Sequence, residues 1–393
     1  MAQTPTPAPA PILVSIVSDV NGQATRVDAH PYPMCQALGQ AAEIAGWAFV
    51  AAVPTVCPVR PLPDHWIACL RYRAHPGETL EVARDIMDIP MLAVDIDAFL
   101  QTHVFAANRP VILYYEWYIP TTVIALTLAL LRARLQGHSP TLCMLHRAKM
   151  SLNRTHATIW VMTRLLRAIL GSRHLRLFAE NERFVQHYVN WFGQPVQVAP
   201  IPFGAPVVSC SDPAWKREVA DGQLVCWWPG KPAVRKGELV VRKLVGLTGA
   251  GAERLCVVAA ASSQLAQVPG GPRVVLVEYQ LDRASYLQTM AAADVLLMPY
   301  TPDIHSWLTS GILVEAIAAG KVPLVATGTW LADELERFNL EDLIVDWERP
   351  DLLAEIARLA RDADVRRRLD IMRTAYLAFH SPAGLAQLLR GIQ

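Results

Sequence analysis

The chain has 393 residues, 52% of them hydrophobic and 18% charged, with a net charge of +1, which suffices for two domains of ordinary size with large cores. No uncharged apolar run reaches the ~20 residues that a membrane span requires; Trp117 to Leu131 is 15 residues long and holds Pro120 and three threonines. Seven cysteines, an odd number without a CxxC pair, and eleven dispersed histidines without HExxH indicate neither a disulfide framework nor a zinc site, so buried reduced thiols are expected.

Residues 1–11, MAQTPTPAPAP, lack the basic start and apolar middle of a secretory signal. Their Pro/Ala/Thr composition predicts a disordered tail. Ile12 to Val17 then reads as a buried strand, ending in the turn formers Ser18 to Gly22. Cys35 to Ala45 reads as a helix closed by Gly46, and Trp47 to Val53 as a second strand. The region 54–90 is rich in proline and charge and resists assignment. Met87 to Val94 and Val111 to Tyr115 read as strands, followed by a helix over Thr121 to Leu135 and a strand over Thr141 to Leu145 that ends at His146. Ala157 to Leu170 is amphipathic, Leu175 to Phe178 is a strand, and Asn181 to Phe192 is a helix stopped by Gly193. This alternation predicts a parallel sheet covered by helices on both faces.

The proline-rich segment 199–213 reads as a linker, and a second β/α series follows. Leu224 to Trp228, Leu255 to Ala261 and Val274 to Val277 read as strands, Gly237 to Val245 and Ala284 to Ala293 as helices. Val295 to Met298 and Val322 to Ala326 are continuous apolar runs, as expected of strands buried on both faces. Between them a helix begins at Ser310-Gly311 and stops at Gly320. Further helices are expected over Arg349 to Arg361 and Pro382 to Arg390. The expected division is a tail 1–11, a first domain 12–205, a second domain 206–375, and a closing helical segment 376–393 that returns to the first domain.

The chemistry concentrates in the second series. A helix start leaves backbone N–H groups unpaired and carries partial positive charge. Gly311 lets a ligand approach that backbone closely, and Ser310 adds a hydroxyl, so Ser310, Gly311 and Ile312 suit a phosphate or diphosphate. Glu315, one turn on, can accept hydrogen bonds from sugar hydroxyls; equally, it reads as a solvated carboxylate with Ser310 as a plain N-cap. Strand Leu224–Trp228 is followed by Gly230-Lys231-Pro232-Ala233-Val234-Arg235-Lys236-Gly237. Lys231 and Lys236 can converge on one diphosphate from this loop, or the loop is simply solvated.

Taken together, these two stretches resemble the retaining GT-B glycosyltransferases, in particular the large family 4. That family's second domain shows strand-GR-x4-KG-helix and later ExFGLxxxEAxAxGxPVVAT. Here the first becomes Gly230-Lys231-x4-Lys236-Gly237. The second becomes Trp307-x-Thr309-Ser310-Gly311-xxx-Glu315-Ala316-x-Ala318-x-Gly320-x-Val322-Pro323 and its sequel. The match is good over 224–345 and holds only in outline for the first half. The resemblance implies an α/β GT-B fold, two Rossmann-like β/α/β domains facing across a cleft, and a glycosyltransferase that takes a nucleotide-diphospho-sugar and works on a glycan or lipid-linked acceptor. It implies retention of configuration and no obligatory metal or other cofactor. By the same resemblance Lys231 and Lys236 hold the donor diphosphate and stabilise the leaving group. The backbone of Gly230, Ser310, Gly311 and Ile312 lines the phosphates, Glu315 binds the ribose, Tyr279 of Glu278-Tyr279-Gln280 lies against the base, and Gly22 falls in the family's Gly-rich loop. Glu116 stands where the family has a histidine after the fourth strand; it acts on the acceptor hydroxyl or caps the helix behind it. His146 stands where the family often has another.

Some positions depart from the pattern. Trp307 replaces the first glutamate, which usually contacts the transferred sugar; Asp303 or His305 can substitute, or both lie in a surface loop. Lys231 replaces an arginine and loses its bidentate fork. The glycine turn after the third strand is Ala259 to Ser263. Asp95-Ile96-Asp97 spells DxD but lies in the first domain and reads as a loop or helix cap. From Trp117 to Ala179 there are nine Lys/Arg and no acid, which leaves the rest of the chain at −8 against the total of +1. That stretch predicts an anionic partner, either a lipid surface, with the protein peripheral on the cytoplasmic face, or an anionic acceptor; no nucleic-acid motif accompanies it.

Overall fold

The computed structural model describes residues 9–18, 31–72, 82–116, 118–147, 149–151, 153–203 and 211–392. The chain divides into two compact units, one of residues 1–202 with 382–393 and one of residues 203–381.

In the first unit, seven strands alternate with helices: β1 (Ile12–Ile16), α1 (Pro31–Ala45), β2 (Ala48–Pro54), β3 (Trp66–Leu70), α2 (Val82–Phe99), β4 (Val111–Tyr115), α3 (Pro120–Leu135), β5 (Thr141–His146), α4 (Arg154–Leu170), β6 (Leu175–Ala179), α5 (Glu182–Phe192) and β7 (Val196–Val198). All pair in parallel, in the order β3-β2-β1-β4-β5-β6-β7. Strands β1 and β4 are buried at every position, since helices cover both faces. The order reverses between β1 and β4, where crossovers leave in opposite directions and a crevice opens beyond the carboxyl ends.

The second unit runs β8 (Leu224–Trp228), α6 (Glu238–Gly246), β9 (Leu255–Ala260), β10 (Arg273–Val277), α7 (Arg283–Ala292), β11 (Val295–Met298), α8 (Pro302–His305), α9 (Gly311–Ala318), β12 (Val322–Val325), α10 (Trp330–Glu336), α11 (Leu352–Leu359) and α12 (Ala363–Phe379). Its five parallel strands lie in the order β10-β9-β8-β11-β12. The reversal here falls between β8 and β11. The closing helix α13 (Pro382–Arg390) belongs to the first unit, where it packs on α1 and Arg390 donates to the Ile44 carbonyl at 2.5 Å.

Several elements differ from expectation. Met87 to Val94 is the middle of α2, not a strand. Its apolar residues read as one run, but burial falls on Leu92, Ile96 and Phe99 while Met87 and Val94 stay exposed, a helical stripe. Strand β3 and helices α10 and α12 were not anticipated; α12 hides its apolar stripe (Val365, Leu369, Met372, Tyr376) among arginines. It continues through Phe379, anchored on α9 by Arg373 donating to the Ala318 carbonyl at 2.9 Å, so the chain leaves the second unit at 381/382 rather than 375/376. The other boundary falls at 202/203 rather than 205/206. Of the tail 1–11, residues 1–8 lie outside the described residues.

The Asp95-Ile96-Asp97 sequence is neither loop nor cap but helix interior in α2. Asp95 accepts from the Arg71 backbone at 3.0 Å and from its guanidinium at 2.7 Å, and Asp97 pairs with Arg132 at 3.1 Å. By length and composition, Met87–Ala107 is apolar enough to cross a membrane; here it packs on α3 and carries these two ion pairs.

Candidate functional site

In the second unit, the turn after β8 and the loop after β11 are stitched together at the point where strand order reverses. After β8 the chain forms a short helical turn, Val234–Lys236, and leaves it through Gly237 at φ +76°. Trp228 is buried in the strand and donates its indole N–H to the Lys236 carbonyl at 3.0 Å, which fixes the turn. Thr301, two residues past Pro299, donates its backbone N–H to the Arg235 carbonyl at 3.0 Å. A Cβ on Gly237 would stand 2.2 Å from the Pro299 carbonyl oxygen, so only glycine permits this approach.

The Lys236 side chain folds back over its own loop. Its Nζ lies 2.6 Å from where a Gly230 Cβ would sit and 5.9 Å from the centre of the Tyr300 ring. Burial, together with the Arg235 charge beside it, holds the ammonium below the usual lysine range. Lys231 is exposed and engaged by no partner among the described residues. The two lysines thus differ: Lys236 is half-buried in the crook of the loop, whereas Lys231 stands in solvent.

Tyr300 connects this loop to the start of α9. It is buried, and its hydroxyl lies beside Ser310. Ser310 is the N-cap of α9, its hydroxyl accepting from the Leu313 N–H at 3.3 Å. That leaves the Gly311 and Ile312 amides without a donor role among the described residues, as at any helix start that awaits an anion. A Cβ on Gly311 would lie 3.4 Å from the Phe203 ring, which walls this helix end.

Glu315 faces α7 rather than open space. One carboxylate oxygen accepts from Arg283 at 2.5 Å and the other from the Tyr286 hydroxyl at 2.6 Å. Arg283 lies over the Tyr286 ring, which packs edge-on against Trp227 of β8. Both alternatives read from the sequence are therefore modified: Glu315 is buried and paired, not solvated, and a sugar hydroxyl would share its oxygens with these partners. Tyr279 sits half-buried in the turn after β10. Trp307 and Asp303 flank the loop after β11, Asp303 accepting from the Thr301 hydroxyl. His305 is not a surface residue: it is buried, its ring tilted against Tyr300 with centres 4.5 Å apart.

In the first unit, Glu116, Arg147 and Glu180 form a chain of charges, Glu116 buried and the other two half-buried. Each directly follows a strand, β4, β5 and β6 in turn, so the sheet sets them side by side at the carboxyl ends. Arg147 pairs with Glu116 at 3.0 Å and with Glu180 at 2.9 Å. Burial pushes the Glu116 carboxyl up to about 7, against the pull of Arg147 and with the push of Glu180. Glu116 precedes α3 but does not cap it: the N-cap is Ile119, and the Thr122 side chain closes that end. Beside this chain His146 is buried among Tyr118, Tyr188 and Phe192, with Nδ1 bonded to the Tyr118 hydroxyl. Burial lowers its pKa to about 3, so it is neutral. Gly22 lies outside the described residues.

Sequence reasoning missed Arg147, Glu180, Tyr300, Arg283 and Tyr286. A signal existed for the first two, a charged residue standing immediately after each of two neighbouring apolar strands.

Two parallel Rossmann-like sheets, each with its strand order reversing once, define the GT-B fold. No family model matches the sequence, and no curated protein matches it. Among solved structures it resembles a glycosyltransferase from Rickettsia africae (11% identity, 98% of this chain and 97% of that one, TM-score 0.63). It also resembles Anabaena Alr3699/HepE in complex with UDP-glucose (12% identity, 97% and 98%, TM-score 0.60). A third likeness is a UDP-N-acetylglucosamine 2-epimerase, so described, from Listeria monocytogenes (15% identity, 96% and 94%, TM-score 0.57).

Proposed function

We propose that this protein is a glycosyltransferase that moves a sugar from a nucleotide-diphospho-sugar to a glycan or lipid-linked acceptor, with retention and without metal. The observation that carries the reading lies within the second unit: the Lys236 amine and the free amides of Gly311 and Ile312 flank one buried tyrosine, Tyr300, where β8 and β11 diverge. A diphosphate bound there meets a cation from one loop and a helix start from the other. Breaking the anomeric bond puts negative charge on the diphosphate, and donors already in place lower that barrier. Lys231, exposed to solvent, adds a second charge to the leaving group. Glu315, held by Arg283 and Tyr286, receives the ribose hydroxyls, with the base near Tyr279. Glu116, set near neutrality, acts on the acceptor hydroxyl. The Asp95 and Asp97 carboxylates are tied to arginines, which supports a metal-free reaction.

The acceptor side is read as peripheral on the cytoplasmic face of a membrane. Neighbouring helices α2, α3 and α4 expose Met87, Val94, Leu128, Leu135, Val161 and Leu165, and α4 also exposes Arg154, Arg164 and Arg167. Such a face suits anionic lipid; cosedimentation with anionic but not with neutral vesicles would support it.

The likeness to an epimerase favours a second reading, sugar-nucleotide epimerisation on the same donor site, and Trp307 in place of the family's glutamate keeps a non-catalytic donor-binding role in play. Thermal shift with UDP-, GDP- and ADP-sugars identifies the donor, because a ligand of the native state raises Tm. Product analysis of that donor then decides. Transfer or slow hydrolysis in wild type, lost in Lys236→Ala, supports the transferase; an epimerised donor supports the second reading, and binding without turnover in both proteins the third.

A further inference from the structure

His305 takes no part in the chemistry above, yet it is the most poorly satisfied polar side chain near the site. It is 8% exposed, and neither Nδ1 nor Nε2 has a hydrogen-bond partner among the described residues. A neutral imidazole always carries one donor and one acceptor, so burial strands both. Its ring packs at a tilt of 37° against Tyr300, centres 4.5 Å apart, and the Lys236 Nζ lies 5.9 Å from the centre of that same ring. The charged groups acting on it are Lys236 and Arg235 from the turn after β8 and Asp303 from its own helix α8; Tyr300 at the end of β11 supplies the apolar wall. Two cations against one exposed carboxylate, on top of burial, keep the ring neutral, its pKa down at about 4.

We infer that His305 is the proton-accepting third member of the anion site, charging to imidazolium when a nucleoside diphosphate or inorganic pyrophosphate settles against Lys236 and the start of α9. This rests on the diphosphate reading of that site. The bound anion cancels the repulsion from Lys236 and Arg235 and offers an acceptor to the stranded ring, and no other oxidant, metal or co-reactant is involved: one proton passes from solvent to the ring. The ring is neutral in the empty protein above about pH 4 and charged in the complex up to a higher pH. Affinity therefore rises as pH falls through that window, by up to about tenfold per pH unit while one proton is taken up.

The test uses the full chain with UDP and, separately, inorganic pyrophosphate. Calorimetry in two buffers of unlike ionisation heat gives the protons taken up on binding, for wild type and for His305→Asn. The difference between the two proteins removes the ligand's own titration, whose second phosphate pKa lies near ~6. Expected is an uptake greater in wild type than in the variant by a fraction of one proton, with binding weakened in the variant and its pH dependence reduced to that of the ligand. Histidine NMR on wild-type protein, with the ring identified by its contact to Tyr300, provides a second route should the variant not fold: the His305 signal is expected to move to the charged form on saturation. Binding with equal proton uptake in both proteins, or a ring that stays neutral when saturated, overturns this inference and leaves the diphosphate site standing. Failure of both ligands to bind removes the site and the inference with it.

Discussion

The Gly237 α-carbon and the Pro299 carbonyl oxygen pack so closely that a single added methyl would stand 2.2 Å from that oxygen. The contact joins the turn after β8 to the loop after β11, and the atoms on the Pro299 side are backbone and ring, which cannot swing away. Gly237 also sits at φ +76°, where a side chain is strained. Gly237→Ala is therefore expected to cost more than about 2 kcal/mol of stability, as overpacking and backbone strain combine. Urea unfolding checks it; a loss within ~0.5 kcal/mol, the range of ordinary surface changes, would mean that the two loops separate easily.

Gly230 offers a contrast within the same loop. Its φ is +86°, but the atom its Cβ would meet, at 2.6 Å, is the Lys236 Nζ, the free end of a flexible chain. Gly230→Ala is expected to cost about 1 kcal/mol from backbone strain, while it displaces the amine from the crook of the loop. Nucleotide affinity should then fall by about tenfold or more, since a charge-assisted hydrogen bond is worth about 1.5–3 kcal/mol. Comparing Kd and Tm for this variant with those for Gly237→Ala separates the two effects: here binding falls more than stability.

The Arg283–Glu315–Tyr286 cluster couples helix α9 to α7. Tyr286→Phe removes one hydroxyl and leaves one oxygen of Glu315 short of a partner in a buried place, for a cost of about 1–3 kcal/mol. Arg283→Ala takes away a half-exposed partner, so screening by water limits its effect to about 1 kcal/mol. If ribose hydroxyls use Glu315, both variants should bind nucleoside diphosphate less well and inorganic pyrophosphate unchanged. Equal losses for both ligands would show that the cluster merely holds α9 in place.

Which parts were legible in the sequence follows from what each depends on. Strands β4, β5, β8 and β11 were read from continuous apolar runs, because burial on both faces leaves no other pattern. The start of α9 was read because Ser310 and Gly311 are local signals of cap and close approach. Arg147 with Glu116, and Arg283 with Glu315, were not legible as pairs, since each joins residues that only the sheet or a helix contact brings together. Glu315 illustrates the limit: its position on α9 was right, but whether its oxygens face solvent or α7 is decided by Tyr286, 29 residues away. Met87 to Val94 failed for a different reason: within eight residues a buried strand and one side of a helix look alike, and Pro90 argued against the helix that formed.

Glu116 gives the unit-one sheet a pH signature with a definite sign. Its carboxyl is held at about 7 in the fold, first by burial and then by the Glu180 charge, against an ordinary value of 4.5. The folded protein thus keeps a proton that the unfolded chain has already released between these two values. Stability from this group is complete below about 4.5 and is lost as pH rises through 7. Glutamine mimics the protonated form and leaves the Arg147–Glu180 pair intact. Glu116→Gln is therefore expected to be near neutral at acid pH and stabilising at alkaline pH, on the order of a few kcal/mol. Arg147→Met, by contrast, strands the buried Glu116 and the half-buried Glu180 carboxylates and is expected to cost about 3 kcal/mol, most at alkaline pH. Denaturant unfolding of the three proteins on either side of that window checks both signs. A Glu116→Gln variant less stable than wild type at high pH would mean that Arg147 holds Glu116 ionised, and the proton-transfer role assigned to it would fall.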